Sequence, residues 1–299
     1  MRLASAFVLL LLLPSCSIRK IALNSIGGAL SNAADEYARD EDPELVKGAL
    51  PFSLKVMETI LHENPKDGVL LQALSRDFTK FAYGFLLPDA TDIEDKDPAA
   101  ARALRDRAIK MLLRARGYGI RAIELKHPGF QAQLVANPKE AVQTLKKTDV
   151  ANAFWAGASW AAAISTSRDF MMLPQIPQFE ALMERVLELD EAFDDGAIHS
   201  FFIGYEMVRL KNVGNRVTRA KGHFDRAVEL GKGLQAGPYV AYAEYVTVAK
   251  KDRKEFERLL QVAVKLDPKK DPENQLANVI SQRRAKWLLG RVEKLFPGK

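Results

Sequence analysis

The side chains that could hold a metal or act as a catalytic base are few and widely separated in the sequence. The four histidines are His62, His127, His199 and His223, and no two have the i, i+4 spacing that places two ligands on one face of a helix. This separation predicts histidines at the surface or in turns. We therefore expect neither a metal site nor another cofactor.

Two acidic stretches could supply the paired carboxylates of an enzyme that acts on envelope polymers. The stretch Asp89 to Asp97 also has the recurring oxygens of a calcium site, but it lacks the glycine and the closing glutamate of an EF-hand loop, so a solvated loop between helices is favoured. The stretch Asp190 to Asp195 has no identifiable partner base. The sequence also contains no P-loop, dinucleotide fingerprint or G-x-S-x-G motif. An enzyme is the least favoured class, and we expect no catalytic residues.

The single cysteine, Cys16, has the surroundings of a lipidation site. Arg2 precedes a mainly apolar stretch from Leu3 to Leu13, whose 11 residues are too few to span a bilayer, which takes roughly 20. The residues Leu13 to Cys16 resemble the bacterial lipobox, although Pro14 is unusual at its position. We expect residues 1–15 to be a cleaved signal peptide and acyl chains on Cys16 to hold the protein in the periplasm, with the outer membrane favoured. The alternative is an ordinary signal peptide with an incidental cysteine.

From residue 44 onward, apolar residues recur at the helical period and short polar breaks separate the helices into pairs. The first helices of four pairs align as METIL at 57, MERVL at 183, FDRAV at 224 and FERLL at 256. The last three lie 41 and 32 residues apart, which brackets the tetratricopeptide period of about 34. The pattern predicts an all-α solenoid of antiparallel helix pairs, with degenerate tetratricopeptide-like repeats over residues 44–299, after a lipidated N-terminus and tether at 16–43.

Two longer helices are expected at 99–125 and 149–169, the former started by Asp97 and Pro98. In the second, Trp155 and Trp160 stand five residues apart among small residues. They therefore lie about 140° apart around the helix and face different neighbours. Packing of a central helix is the favoured interpretation, and lining of a ligand site is the alternative.

Arg284 falls near an apolar stripe of the last long helix. Its guanidinium there must pair with an acid, face a cavity or reach solvent along its aliphatic stem. Aromatic and charged side chains of this kind are candidates for contact with a ligand or a partner protein. A cavity lined by them would favour a ligand carrier over a scaffold that has no ligand site. The candidate set comprises Tyr83, Trp155, Trp160, Tyr205 and Arg284.

Composition limits the partners. The net charge of +6 comes from Lys and Arg interspersed with 38 acidic residues, which argues against a nucleic-acid-binding face. Solenoid ends need polar caps, and a chain without them can associate with itself through its last helix, with Trp287, Leu288 and Phe296, so we also expect a homo-oligomer, to be checked by light scattering.

Five stretches together resemble successive blocks of the T-component proteins associated with tripartite ATP-independent periplasmic (TRAP) transporters. They are FWAGASWAAAIS, LDEAFDDGAIHSFFIGYEMV, RAKGHFDRAVELGKG, AYAEYVTVAKKDRKEFERLLQVAV and NQLANVISQRRAKWLL. The resemblance covers about residues 45–296. It implies a periplasmic lipoprotein of tetratricopeptide-like helices without catalysis. It also implies partnership with a periplasmic substrate-binding subunit and transfer of an organic acid or other small ligand toward the permease.

A generic tetratricopeptide-like lipoprotein scaffold for envelope assembly is the alternative function. Such a scaffold would have a groove open to extended peptides instead of an enclosed ligand site.

Overall fold

The computed structural model describes residues 36–210 and 214–298, and its regular structure there is entirely helical, without a strand. This agrees with the predicted all-α class. Cys16, the signal peptide predicted at 1–15 and most of the tether predicted at 16–43 lie outside the described residues. Within the described part of the chain, no helix combines the length and the apolar character needed to cross a membrane.

The helices follow one another with short connections. Two segments are π-helical, Ala82–Leu86 and Tyr242–Thr247. The α-helices are α1 (Pro43–Glu63), α2 (Gly68–Phe81), α3 (Leu87–Ile93), α4 (Pro98–Glu124), α5 (Phe130–Ala136), α6 (Pro138–Ala141), α7 (Val150–Thr166), α8 (Ile176–Leu189), α9 (Ala197–Val208), α10 (Arg216–Leu230), α11 (Ala236–Ala241), α12 (Arg253–Lys265), α13 (Gln275–Leu289) and α14 (Val292–Leu295).

Local side chains start several of these helices. The Asp97 carboxylate accepts a hydrogen bond from the Ala100 backbone N–H at 2.9 Å, and Pro98 is the first helical residue, as predicted for α4. The next long helix, α7, ends at Thr166, earlier than expected, because Asp169 instead caps a following 3₁₀ turn by accepting from the Met171 N–H. Capping side chains of the same kind are Asp42, Asp67, Asn215 and Asp252.

The acidic stretch Asp89 to Asp97 is not wholly the solvated loop that was expected. Its first half is helical, since α3 continues to Ile93. Ion pairs hold its acids against neighbouring helices: Asp89 pairs with Lys47 at 2.7 Å and Glu94 with Arg105 at 2.6 Å. These cations neutralise the carboxylates that a calcium ion would have used.

Two hydrophobic clusters form the core. The first extends from Val46 to Phe202 and the second from Ile203 to Phe296. Small residues bring α7 close to two neighbours: a Cβ built on Gly119 of α4 would lie 2.8 Å from the Ala156 Cβ, and one built on Gly157 would lie 2.5 Å from the Met183 Sδ. These approaches agree with a central position for α7.

The two ends of the described chain meet. Arg283 pairs with Glu44 at 2.7 Å, and Lys294 pairs with Asp95 at 3.2 Å. Arg39 pairs with Glu273 at 2.7 Å. These exposed pairs are individually weak. Apolar contacts reinforce them, because Leu276 and Ile280 of α13 pack against the first cluster while apolar residues near the end of α13 belong to the second.

Candidate functional site

Four polar side chains converge where the two hydrophobic clusters meet: Tyr83, Glu244, Tyr245 and Arg284. Tyr83 lies in the π-helical segment Ala82–Leu86 beside residues of the first cluster. Glu244 and Tyr245 lie in the second π-helical segment, beside residues of the second cluster, and Arg284 projects from α13. Such π-helical insertions are frequent at functional sites, because the wider turn redirects side chains.

Arg284 is held by a bidentate ion pair. Its Nη2 donates to Glu244 Oε1 at 2.5 Å and its Nε donates to Glu244 Oε2 at 3.2 Å. The Trp287 ring is flanked by two guanidinium groups, with Arg284 Cζ at 4.1 Å from the ring centroid and Arg291 Cζ at 3.6 Å. Among the described residues Arg284 Nη1 has no hydrogen-bond partner, so this N–H group is available to an acceptor.

Tyr83 and Tyr245 are neighbours, and both side chains are exposed. Tyr83 is 57% exposed and Tyr245 is 42% exposed, yet burial raises the pKa of Tyr83, and the neighbouring Tyr83 phenol together with burial raises the pKa of Tyr245. Both phenols are therefore neutral at pH 7 and can each donate or accept a hydrogen bond.

Gly204 of α9 makes room for one of these rings. A Cβ at this position would lie 2.9 Å from Tyr245 Cδ2 and 3.0 Å from Cε2. We expect Gly204→Ala to displace the ring and to be less stable than wild type by about 1 kcal/mol in urea unfolding. The matched control is Gly222→Ala in α10, where nothing lies within 4 Å of the added carbon. That change should stabilise the protein by about 0.5–1 kcal/mol, since alanine is the better helix former. Equal gains in both variants would contradict the close packing on Gly204.

The structure brings Tyr83 and Arg284 of the predicted set to one place and distributes the other three. Trp155 is half-buried, packs edge-on against Phe154 at 4.9 Å between centroids, and has Lys80 Nζ 5.4 Å above its ring. Trp160 is 6% exposed and donates from Nε1 to Gln175 Oε1 at 2.9 Å. The two tryptophans face different neighbours, as their spacing predicted.

Tyr205 belongs to a separate buried charge network. Its hydroxyl donates to Glu180 Oε1 at 2.7 Å, and the same oxygen accepts from Arg209 Nε at 3.1 Å. Burial and the Glu180 carboxylate raise the pKa of Tyr205, so its phenol is neutral. This network joins α8 to the end of α9.

Sequence reasoning missed Glu244 and Tyr245. The stretch AYAEYV reads as an apolar helical stripe, in which the acid at 244 was assigned no role. A carboxylate next to an aromatic residue inside an apolar run was the available signal, since Arg284 near its own apolar stripe needed an acid.

Sequence reasoning also missed a histidine pair, and the prediction of surface or turn histidines is wrong for His199. This residue is 6% exposed, and its Nδ1 lies 2.9 Å from His223 Nδ1. Its Nε2 lies 3.0 Å from Glu191 Oε2, and Glu191 is also held by Arg226 at 2.5 Å. The cause is that α9 and α10 pack side by side, which brings together histidines that are distant in sequence.

The described residues contain no group of three or more His, Cys, Asp or Glu side chains that could hold a metal ion. At the Tyr83, Glu244, Tyr245 and Arg284 cluster, the available chemistry is hydrogen bonding to a ligand by one guanidinium N–H group and two phenols. Such groups recognise a carboxylate or another oxygen acceptor.

Comparison with known proteins gives two matches. A family model described as TRAP transporter T-component matches residues 39–296. An uncharacterized protein of Treponema pallidum (strain Nichols) is 24% identical over 310 residues, which cover 97% of this chain and 96% of the relative. The family match spans both hydrophobic clusters and the polar site between them.

Proposed function

Because the chain belongs to the TRAP transporter T-component family, we propose that it is a periplasmic lipoprotein that binds the substrate-binding subunit of such a transporter. The family is one of transporter components, not of enzymes, and it implies association with a TRAP transporter. The match over residues 39–296 is the observation that carries this proposal. The acyl chains would be on Cys16, with the outer membrane favoured as the anchor.

A small ligand would bind at the polar site formed by Tyr83, Glu244, Tyr245 and Arg284. Tyr83, Tyr245 and Arg284 would contact it, because both tyrosines are exposed and the Arg284 side chain is partly exposed with its Nη1 group unpaired among the described residues. Trp155 and Tyr205, both half-buried, would line the approach. Trp160 would act indirectly by holding Gln175 in position. An organic acid suits this site, since its carboxylate can accept from the Arg284 Nη1–H group and from a phenol.

We further propose that the helix pairs of residues 44–299 are degenerate tetratricopeptide-like repeats in a solenoid. The order of short-linked helices supports this, as does the packing of each pair on its neighbours. Since Arg283 of α13 pairs with Glu44 of α1, such a solenoid would be closed and not open at its ends. A homo-oligomer stays part of the proposal, but Leu288 and Phe296 of the predicted last helix are buried in the second hydrophobic cluster, which leaves only Trp287 of the three partly exposed for such a contact.

A pull-down tests the partnership. The mature chain from Ser17 to Lys299 would be immobilised without lipid and exposed to periplasmic extract of its own organism, and retained proteins would be identified by mass spectrometry. We expect capture of a TRAP substrate-binding subunit. The Lys254→Gln variant, altered at an exposed residue of α12, should capture the same protein and serves as the control for nonspecific charge effects.

Two results would count against the proposal. Capture of outer-membrane or cell-wall assembly proteins alone would favour the alternative, a tetratricopeptide-like lipoprotein scaffold in envelope assembly. In the second result, the substrate-binding subunit is captured, but native mass spectra show no bound small molecule for wild type or for Arg284→Ala. The proposed partnership would then stand, and the proposed ligand site would be wrong.

A further inference from the structure

The outer surface of α4 is strongly basic. This helix has seven basic and two acidic side chains, and so carries five of the six net positive charges of the chain. The expectation that basic residues are evenly interspersed is therefore wrong for α4. At 100° per residue, Arg107, Lys110, Arg114 and Arg121 fall within about 60° of arc, opposite the buried residues of the helix. These four residues, called the basic stripe below, cover about 21 Å of helix length.

A groove between α1 and α4 borders the basic stripe. Its lining includes Lys55 and His62 of α1 and Arg114 and Tyr118 of α4. The acid within it, Glu58, has a side chain only 9% exposed, pairs with Lys55 Nζ and with Arg114 Nε at 2.7 Å each, and accepts from Tyr118 Oη at 2.6 Å. Two cations thus share one carboxylate in the groove, so the net charge of this group is positive.

The two acids of α4 do not cancel the basic stripe. Asp106 and Glu124 project about 60° or more from the centre of the stripe. In addition, Glu124 is turned toward the following loop, where its carboxylate accepts from the backbone N–H groups of Gly129 at 2.5 Å and of Gln131 at 2.9 Å. Of the two acids of α4, Asp106 thus remains exposed beside the basic stripe, and four basic residues against one such acid leave this face of the helix positive.

Large apolar side chains protrude around the same surface. Phe52 of α1, three residues before Lys55, is 73% exposed, and Leu45 is also exposed. At the other end of α4, Leu125 is exposed and its Cδ1 lies 3.8 Å from the Cβ position of Gly68, next to the exposed Val69. Basic residues combined with protruding apolar ones are typical of proteins that bind at the surface of a bilayer, where the cations meet anionic headgroups and the apolar groups enter the interface.

We propose that the basic stripe, with Lys55, Phe52 and Leu125 beside it, binds the headgroups of an anionic phospholipid membrane. Acyl chains on Cys16, 20 residues before the first described residue, Glu36, would keep the protein close to a bilayer. That last step rests on the proposed lipidation, whereas the binding surface does not.

Vesicle cosedimentation of the unlipidated chain from Ser17 to Lys299 tests the proposal. Wild type should bind vesicles of phosphatidylglycerol mixed with phosphatidylcholine, not vesicles of phosphatidylcholine alone, and should be released by salt. The double variant Arg107→Gln, Lys110→Gln should bind about 25-fold more weakly, because each charge near an anionic surface contributes about a fivefold change. Neither side chain has an ion-pair or hydrogen-bond partner among the described residues, so the variant should keep the wild-type circular dichroism spectrum.

The matched control is Lys254→Gln, Lys265→Gln, which removes the same charge from exposed positions of α12. It should bind within about twofold of wild type. Equal weakening by the two double variants, or no preference for phosphatidylglycerol, would overturn the proposal. Binding to immobilised polyglutamate but not to vesicles, if lost in Arg107→Gln, Lys110→Gln, would assign the surface to an acidic protein instead. Failure with vesicles would leave the pull-down of a substrate-binding subunit unaffected, since that experiment uses no membrane.

Discussion

Replacing Arg209 by methionine is expected to lower the free energy of unfolding by about 3 kcal/mol. Arg209 follows α9 and pairs with three carboxylates: Glu180 at 3.1 Å, Glu206 at 3.1 Å, and Glu184. Glu206 is 2% exposed and Glu180 is 9% exposed. Removal of the guanidinium leaves these buried charges without their shared partner, and the loss of a partner from a buried ion pair is costly.

Urea unfolding followed by circular dichroism would measure this loss. The remaining hydrogen bonds limit the loss of stability, because Glu206 also accepts from Arg219 Nε at 2.6 Å and Glu180 also accepts from Tyr205. The matched control is Arg258→Met in α12, whose pair with Glu255 is on the surface. It should cost less than about 1 kcal/mol. Equal losses in the two variants would show that the Arg209 network has no special role in stability.

Acidification from pH 7 to pH 4 is expected to destabilise the protein by about 2–3 kcal/mol through His223. Burial, together with the charge that His199 would carry, lowers the pKa of His223 to about 4. Burial also lowers the pKa of His199. The geometry is compatible with two neutral rings, since His199 Nε2 can donate to Glu191 and leave its Nδ1, which must then be unprotonated, to accept from His223 Nδ1.

The direction of this change in stability follows from the protonation of histidine in the unfolded chain. A histidine there takes up a proton near pH 6.5, whereas in the folded protein His223 does so only near pH 4. Between these values the unfolded state binds more protons, so stability is lost as the pH falls through this window and levels off below it. The Glu191 carboxylate titrates outside the window, because hydrogen bonds from Arg226 and His199 lower its pKa to about 2.

Unfolding curves at a series of pH values would test this expectation. His223→Gln should remove most of the fall between pH 6.5 and pH 4, because the glutamine does not titrate. His62→Gln, at an exposed position of α1, is the matched control and should leave the fall unchanged. A wild-type protein whose stability is constant across the window, or a His223→Gln variant that still shows the full fall, would contradict the neutral histidine pair.

Much of the helical framework was predictable from the sequence. The helical period of apolar residues from residue 44 onward predicted an all-helical protein, and Asp97 with Pro98 predicted the start of α4 to within one residue. The spacing of Trp155 and Trp160 predicted that they face different neighbours. These features depend on hydrogen bonds and side-chain directions within a few residues, which the local sequence encodes.

The candidate site depended on tertiary structure. Arg284 needed an acid, but its partner Glu244 lies in another helical segment, and Tyr83 meets Tyr245 only because the two hydrophobic clusters join between them. The His199 and His223 pair likewise arises from the packing of α9 against α10. Pairings of this kind are set by which faces pack together over the whole chain. The sequence by itself thus determined the all-helical class, the start of α4 and the family, whereas only the tertiary structure decided which polar groups meet.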